Sequence, residues 1–362
     1  MKLTINWICE LSSHYNDFLF NRLEKDGKIN FKVYYVHKQL KSHPWKIFNR
    51  NYDFDFFNQK TIIDWKLIFK SLFRRNEIFV IGGWYSMTMI LIILTRIIFN
   101  SKYVIWTDTP QIKKNIGFKN KVRNYWIKYV LKNSFSVWGT GLSATNNLKL
   151  MGASQKQTFN LPYFTDIEIF KPTELKREKK EIVFLSSGRL TNERKGFDLA
   201  LEALGMLKVK YPYLKFSYHI AGTGPDYELL YEQCKKHNIE ELVKFVGWLD
   251  LDDLIAFYKK GDYFLHPARY EPFGVAVIEA MASGLIVVGS EVTGAVIDRI
   301  QDGVNGFIHK DNNVENLFLK LIKLTSLSND SIDVMRKKSI EVSNEWKLEK
   351  GTKLIYQYLC VE

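Results

Sequence analysis

Two glutamates with seven residues between them, Glu271 and Glu279, lie in the stretch from His266 to Gly284. An apolar run ends at His266, a loop carries Glu271 and Pro272, and a helical pattern starts near Gly274. The first N–H groups of a helix lack intrahelical acceptors, so those of Phe273, Gly274 and Val275 form a ready anion site. Gly274 has no Cβ, which lets a phosphate or a sugar approach the backbone closely. Glu271 then projects beside that anion site. Glu279, further along the helix, is placed to accept hydrogen bonds from a diol such as a ribose. The competing reading is a pair of solvated helix residues.

The first half of the chain offers a second set of polar turns after apolar runs. In Cys9-Glu10-Leu11-Ser12-Ser13-His14-Tyr15, a polar turn leads into a helix at Asp17. Ser13, His14 and Tyr15 either face a cleft or serve the helix start, where Ser and Asn are common caps. Gly82-Gly83-Trp84-Tyr85 opens an apolar helix at the cleft edge, with Gly83 as the candidate, and Asp108 ends the strand before Thr109-Pro110.

These turns need elements to hold them. Short β-branched runs at residues 3–8, 31–35, 78–81, 103–106 and 136–139 alternate with helical patterns. The pattern repeats at 181–186, 216–221, 243–247, 262–265 and 286–289. Strands alternating with helices mean βαβ units and parallel sheets. The expected architecture is α/β, with two doubly wound Rossmann-like domains facing each other across a cleft. The expected boundaries are 1–165, a charged linker at 166–180, 181–344, and a C-terminal helix at 345–362 that packs back on the first domain. Ligands of such sheets bind at the carboxyl ends of the strands.

The Glu271–Glu279 stretch resembles the glutamate–seven residues–glutamate motif of family-4 retaining glycosyltransferases with the GT-B fold. Its neighbours follow in the same order: Ser187-Gly188-Arg189-Leu190 with Lys195-Gly196-Phe197, Ala221-Gly222-Thr223-Gly224-Pro225, Phe245-Val246-Gly247-Trp248, Thr293-Gly294 and Asp302-Gly303-Val304-Asn305-Gly306-Phe307. The likeness is strong over about 182–310 and loose before it. It implies that Arg189 and Lys195, beside Gly188, grip the donor diphosphate and offset charge growing on the leaving group. It further implies that Glu271 holds hydroxyls of the donor sugar, Glu279 the ribose, and that Trp248 lies beside the nucleobase. Asp108 would touch the donor sugar, or else cap a helix. Gly222 and Gly224 let the backbone pass close to the nucleotide, or are plain turn glycines. A basic pair and a helix N-terminus make a divalent metal unnecessary, so the expectation is a UDP-sugar or GDP-sugar donor with no metal and no other cofactor.

Composition bounds the remaining choices. The 362 residues carry a net charge of +13. Residues 1–170 hold 25 Lys and Arg against 11 Asp and Glu, so the whole excess lies in the first half. Three distant cysteines, Cys9, Cys234 and Cys360, fit neither a disulfide framework nor a zinc site and suggest a reducing cytoplasm. No G-x-G-x-x-G follows the first strand of either half, against a dinucleotide enzyme. No zinc finger or other nucleic-acid signature accompanies the charge, so nucleic acid is not an expected partner. The stretch from Gln111 to Asn133 mixes seven basic residues with Phe118, Tyr125, Trp126 and Tyr129 and no acidic ones. That composition suits an anionic membrane surface. The alternative is that its aromatics face the core. Taken with the resemblance, the expectation is a glycan or lipid-linked acceptor, and a location in the cytoplasm or at the inner face of a bacterial membrane.

Overall fold

The computed structural model describes residues 2–38, 49–58, 61–108, 117–172 and 181–360. The chain forms two compact units, Met1–Phe164 with Leu348–Glu362, and Thr165–Lys347.

The first unit runs β1 (Thr4–Cys9), α1 (His14–Asp26), β2 (Asn30–Tyr35), β3 (Phe54–Phe56), α2 (Trp65–Phe73), β4 (Ile78–Ile81), α3 (Met87–Ile98), β5 (Tyr103–Thr107), α4 (Phe118–Asn133), β6 (Ser136–Gly139), α5 (Leu142–Leu150) and β7 (Thr158–Asn160). Its seven strands are all parallel, in the order β3-β2-β1-β4-β5-β6-β7. A sheet covered on both faces needs apolar side chains on both, and Ile5, Trp7 and Ile8 of β1 are all fully buried. Polar residues mark the helix starts: the side chains of Ser13, Asp64 and Ser86 accept from first-turn N–H groups of α1, α2 and α3.

The second unit runs β8 (Ile182–Ser187), α6 (Asn192–Lys195), α7 (Phe197–Lys210), β9 (Phe216–Ala221), α8 (Tyr227–Lys236), β10 (Val243–Gly247), α9 (Leu251–Lys260), β11 (Tyr263–His266), α10 (Val275–Ala282), β12 (Ile286–Ser290), α11 (Gly294–Arg299), β13 (Gly306–His309), α12 (Val314–Thr325) and α13 (Asn329–Ser343). Its six parallel strands lie in the order β10-β9-β8-β11-β12-β13. After Lys347 the chain enters α14 (Leu348–Tyr358), which packs on α1 within the first unit.

Both sheets reverse direction beside their first strand, at β1/β4 and β8/β11. The second reversal shows how such a point opens. Strands β8 and β11 pair at only two residues, Phe184 with Tyr263 and Leu185 with Phe264. Beyond them Ser186 Oγ donates to the Leu265 carbonyl at 2.6 Å, and a side chain replaces the ladder bond as the strands part. Divergence at the carboxyl ends is what makes a crevice there.

The two units depart from the sequence reading in detail. Strands β3, β7 and β13, each three or four residues long, were not expected, and β3 forms one edge of its sheet. The expected linker is not all linker. Asp166 caps a 3-10 turn at Ile167–Phe170 whose Phe170 ring packs on Tyr258 inside the second unit. The charge run at 173–180 lies outside the described residues. Residues Asn344–Trp346 form a 3-10 turn of the second unit, so Trp346 is not part of the last helix.

Candidate functional site

In the second unit the predicted residues converge on the carboxyl ends of β8 and β11. Lys195 ends the short helix α6, and its Nζ is ion-paired with Oε2 of Glu271 in the loop after β11. Both side chains are largely removed from water. Burial alone would raise the Glu271 carboxyl, but the neighbouring Lys195, with His266 and Arg194, outweighs it and holds Glu271 below the usual carboxylate range. The carboxylate is therefore ionised at neutral pH, and the reading of Glu271 as a solvated helix residue is excluded by its burial.

His266 completes this wall and was not singled out from the sequence. Its Nε2 stands 3.9 Å from Glu271 Oε2, is buried, and has no hydrogen-bond partner. Burial, reinforced by Lys195, lowers its pKa from 6.5 to about 4, so the ring is neutral at pH 7. An unpaired polar nitrogen in a buried wall is costly unless something is there to meet it.

Gly274 starts α10 at φ +95°, a conformation that disfavours other residues. A Cβ there would meet Thr293 Cγ2 at 2.9 Å and stand 3.6 Å from His266 Nε2, so the glycine keeps this corner open. The loop is pinned from behind. Gly294 N–H donates to Glu271 O at 3.2 Å and Ala295 N–H to Phe273 O at 2.6 Å. Val275 is the first residue of α10, whose Val277 N–H already bonds the Gly274 carbonyl.

Glu279 lies on α10 and is only 3% exposed. Its Oε2 accepts from Tyr258 Oη at 3.0 Å, and Tyr258 Oη is 2.8 Å from Ser187 Oγ at the end of β8. It too is no solvated residue. Arg189, two residues beyond β8, is exposed and makes no ion pair among the described residues. Trp248 follows Gly247 at the end of β10, and its buried indole N–H has no partner.

The glycines split by cause. A Cβ on Gly222 would stand 1.9 Å from Gly188 O, and one on Gly224 2.3 Å from Leu190 O. The loops after β8 and β9 thus pass backbone against backbone, which by itself demands both residues. Gly188 faces the stem of Lys195, whose Cε would lie 3.4 Å from an added Cβ.

Two further residues escaped the sequence reading. Arg269 makes a bidentate pair with Asp198 at 2.6 and 2.7 Å and donates to Asn192 O at 2.8 Å. With the N–H groups of Arg269 and Tyr270 both on Arg194 O, it clamps α6 and so places Lys195. Arg299 is buried with all three guanidinium nitrogens unpaired, its centre 4.8 Å from the Phe273 ring and 3.8 Å from that of Trp346. Burial lowers its pKa to about 9. It braces Phe273 through ring faces rather than hydrogen bonds. Only a partner in space distinguishes either arginine from a surface one.

In the first unit, the reversal between β1 and β4 gathers a second group. Ser13 is buried and caps α1, which begins at His14 rather than Asp17 because Ser13 Oγ accepts from Asn16 N–H. His14 therefore sits in the first turn, edge-on to Tyr15, and Tyr15 packs on Tyr163 with centroids 4.9 Å apart. Asp108 accepts from Thr140 Oγ1 at 2.7 Å and from the Tyr163 phenol. Burial, with Asp108 next, pushes Tyr163 well above its ordinary value, so it remains a donor. Helix α4 starts at Phe118 with Gly117 as its cap, so Asp108 does not cap it. A Cβ on Gly83 would enter the Tyr85 ring at 2.6 Å, and Tyr85 is hydrogen-bonded to Glu10. Beneath them lies a buried network in which Asp17 accepts from Tyr35 at 3.0 Å and pairs with Arg50 at 3.3 Å.

Residues 167–341 match the family described as Glycosyl transferases group 1. A phosphatidylinositol N-acetylglucosaminyltransferase subunit from Arabidopsis thaliana is 26% identical over 269 residues, 73% of this chain and 56% of that protein. The chain thus spans little more than half the length of that relative. Among solved structures, Anabaena HepE in complex with UDP superposes with a TM-score of 0.77 at 15% identity, covering 99% of this chain and 100% of that one. A lipopolysaccharide outer core galactosyltransferase in its apo form gives 0.73 at 16% identity, covering 99% of each. At such identities the likeness speaks to the fold, which is GT-B. Residues 167–341 of this chain thus match the glycosyl transferases group 1 family, and the chain has the GT-B fold.

Proposed function

We propose that the chain is a retaining, metal-independent glycosyltransferase that moves a hexose-type sugar from a nucleoside diphosphate, UDP ahead of GDP, to a glycan or lipid-linked acceptor in bacterial surface polysaccharide synthesis. The observation that carries this reading is the wall of Lys195, Glu271 and unpaired His266 beside the start of α10. An ammonium has three donors and no acceptor, so Lys195 can hold Glu271 and still meet a phosphate oxygen. Helix N–H groups and Lys195 favour the diphosphate, and Arg189 offers a planar fork from the adjoining loop. Glu271 and neutral His266 are then left to face sugar hydroxyls. Glu279, held by Tyr258, takes the ribose side, and the unpaired Trp248 indole suits a base.

The bond between the anomeric carbon and the diphosphate oxygen breaks, and an acceptor oxygen bonds the same face of that carbon. The acceptor proton passes to the departing phosphate, so no protein nucleophile is needed. Positive charge from Lys195 and Arg189 stabilises the growing dianion where a metal otherwise would. The relative from Arabidopsis is named for a phosphatidylinositol acceptor and HepE was solved with UDP, which supports the lipid-linked and UDP parts of the proposal. Helix α4 exposes Phe118, Tyr125 and Tyr129, which supports contact between this helix and an anionic membrane. Of the stretch that suggested it, residues 111–116 lie outside the described residues.

Incubation with a panel of UDP- and GDP-hexoses in EDTA tests the proposal. Release of nucleoside diphosphate from one donor by slow transfer to water, with the sugar first released in the anomeric form of its donor by NMR, is expected. A strict requirement for a divalent cation, or a β-anomer from an α-donor, would contradict it.

A further inference from the structure

The first unit carries its exposed apolar side chains on one face. Helices α2 to α5 share one core with one side of the sheet, joined through Ile68, Ile92, Val130 and Leu148. Among the described residues of this unit, every large apolar side chain open to water lies between Ile62 and Leu150, on these helices and their turns. Helices α1 and α14 have none. The described residues within 61–158 hold thirteen Lys and Arg against Asp64, Glu77 and Asp108 alone.

Helix α2 is the sharpest instance. Trp65, Phe69 and Phe73, spaced by four, are 56%, 53% and 75% exposed, and their rings follow one another at 6.5 and 6.4 Å. Leu67, Ile68 and Ser71 on the opposite face already fill the core, so the unit has no packing need for the aromatic stripe. Ile62 precedes it at 85% exposure. Lys66, Arg74 and Arg75 fringe it, the last with its guanidinium 4.2 Å above the Phe99 ring. An apolar ridge of this kind marks an interaction surface, and a cationic fringe selects a partner that is apolar inside and anionic at its rim.

We propose that α2 inserts the Trp65–Phe69–Phe73 ridge into the headgroup region of an anionic bilayer, with Lys66, Arg74 and Arg75 on the phosphates. The inference deepens the membrane part of the function proposed above and rests on it. It assigns the leading contact to a helix outside the basic aromatic stretch around α4. Interfacial helices bind by buried apolar area together with attraction to anionic lipid, and α2 supplies both.

Flotation of the full chain with vesicles of equal parts phosphatidylglycerol and phosphatidylcholine, and with phosphatidylcholine alone, tests it. The comparison is with W65S/F69S/F73S and, separately, Y125S/Y129S. All five side chains are exposed, so folding and nucleotide binding are expected to stay as in the wild type. The expected result is binding to the anionic vesicles only, weakened on the order of tenfold or more by the α2 variant. Wild-type binding by the α2 variant overturns the proposal, and a loss confined to the α4 variant does so while leaving the α4 reading intact. No binding to either vesicle, or binding to an RNA oligonucleotide instead, overturns both membrane readings and leaves the donor site untouched.

Discussion

An ionised Glu271 held against Lys195 beside a neutral His266 is an arrangement in which burial and the neighbouring charge set the protonation of both the carboxyl and the ring. The consequence for His266 is measurable. Its folded pKa of about 4 lies below the unfolded value of 6.5, so between these the unfolded chain binds more protons. The stabilisation is fully present above 6.5 and is lost as pH falls through 4. From pH about 7 to about 5 the wild type is expected to lose about 2 kcal/mol more than His266→Gln in urea unfolding. Parallel profiles for the two proteins would place the imidazole in water. At this scale, Lys195 and Glu271 were legible in the sequence because their order along the chain is itself a pattern. His266, Arg269 and Arg299 were not. The two arginines are set apart by a neighbour far away in sequence, Asp198 on α7 and Trp346 beyond α13, and His266 by its burial beside Glu271.

Elements place these residues through backbone contacts as much as through side chains. Gly222 needs no ligand to explain it, because the β8 loop lies where its side chain would go. Gly222→Ala is therefore expected to destabilise by about 3 kcal/mol or more and to lower soluble yield, since both a backbone clash and a φ of +138° oppose it. Gly303→Ala is the control, with φ +81° and nothing within 4 Å of an added Cβ, and should cost about 1 kcal/mol by thermal melting. Similar costs for the two would show that the loops move apart freely. The ten strands read from the sequence stand within two residues at either end, because β-branched runs between turns announce buried parallel strands. Strands β3 and β7 were missed because three residues are too few for a period to show, and β13 because Gly306-Phe307-Ile308-His309 opens on a glycine and holds a single β-branched residue. The start of α1 was misplaced by three residues because a Ser-Ser-His turn offers several caps, and only the bond from Asn16 N–H to Ser13 Oγ settles which one serves.

At the scale of the molecule, two sheets share one order over six strands, the first adding a seventh, and in each the order reverses beside the first strand, where the candidate site residues gather. That doubling was legible from alternating runs. The return of α14 to the first unit was expected as a helix, but its first residues were not. Trp346 lies inside the 345–362 range read as that helix, whereas it stacks on Arg299 in the second unit. Helix exposure was the least legible feature, since an aromatic on a helix reads the same inward or outward until its neighbours are known. The charge imbalance between halves showed at once, and the structure adds that the apolar surface of the first unit shares the basic stretch of chain.

The central claim is that Lys195, the start of α10 and their surroundings hold a nucleoside diphosphate without metal. Calorimetric titration of the full chain with UDP, GDP, ADP and CMP in EDTA, beside Lys195→Ala, tests it most directly. One diphosphate is expected to bind, and to bind about tenfold to a hundredfold more weakly when Lys195 is removed, a loss of about 1.4 to 3 kcal/mol. No binding by any of the four, or equal binding by the variant, would contradict the account.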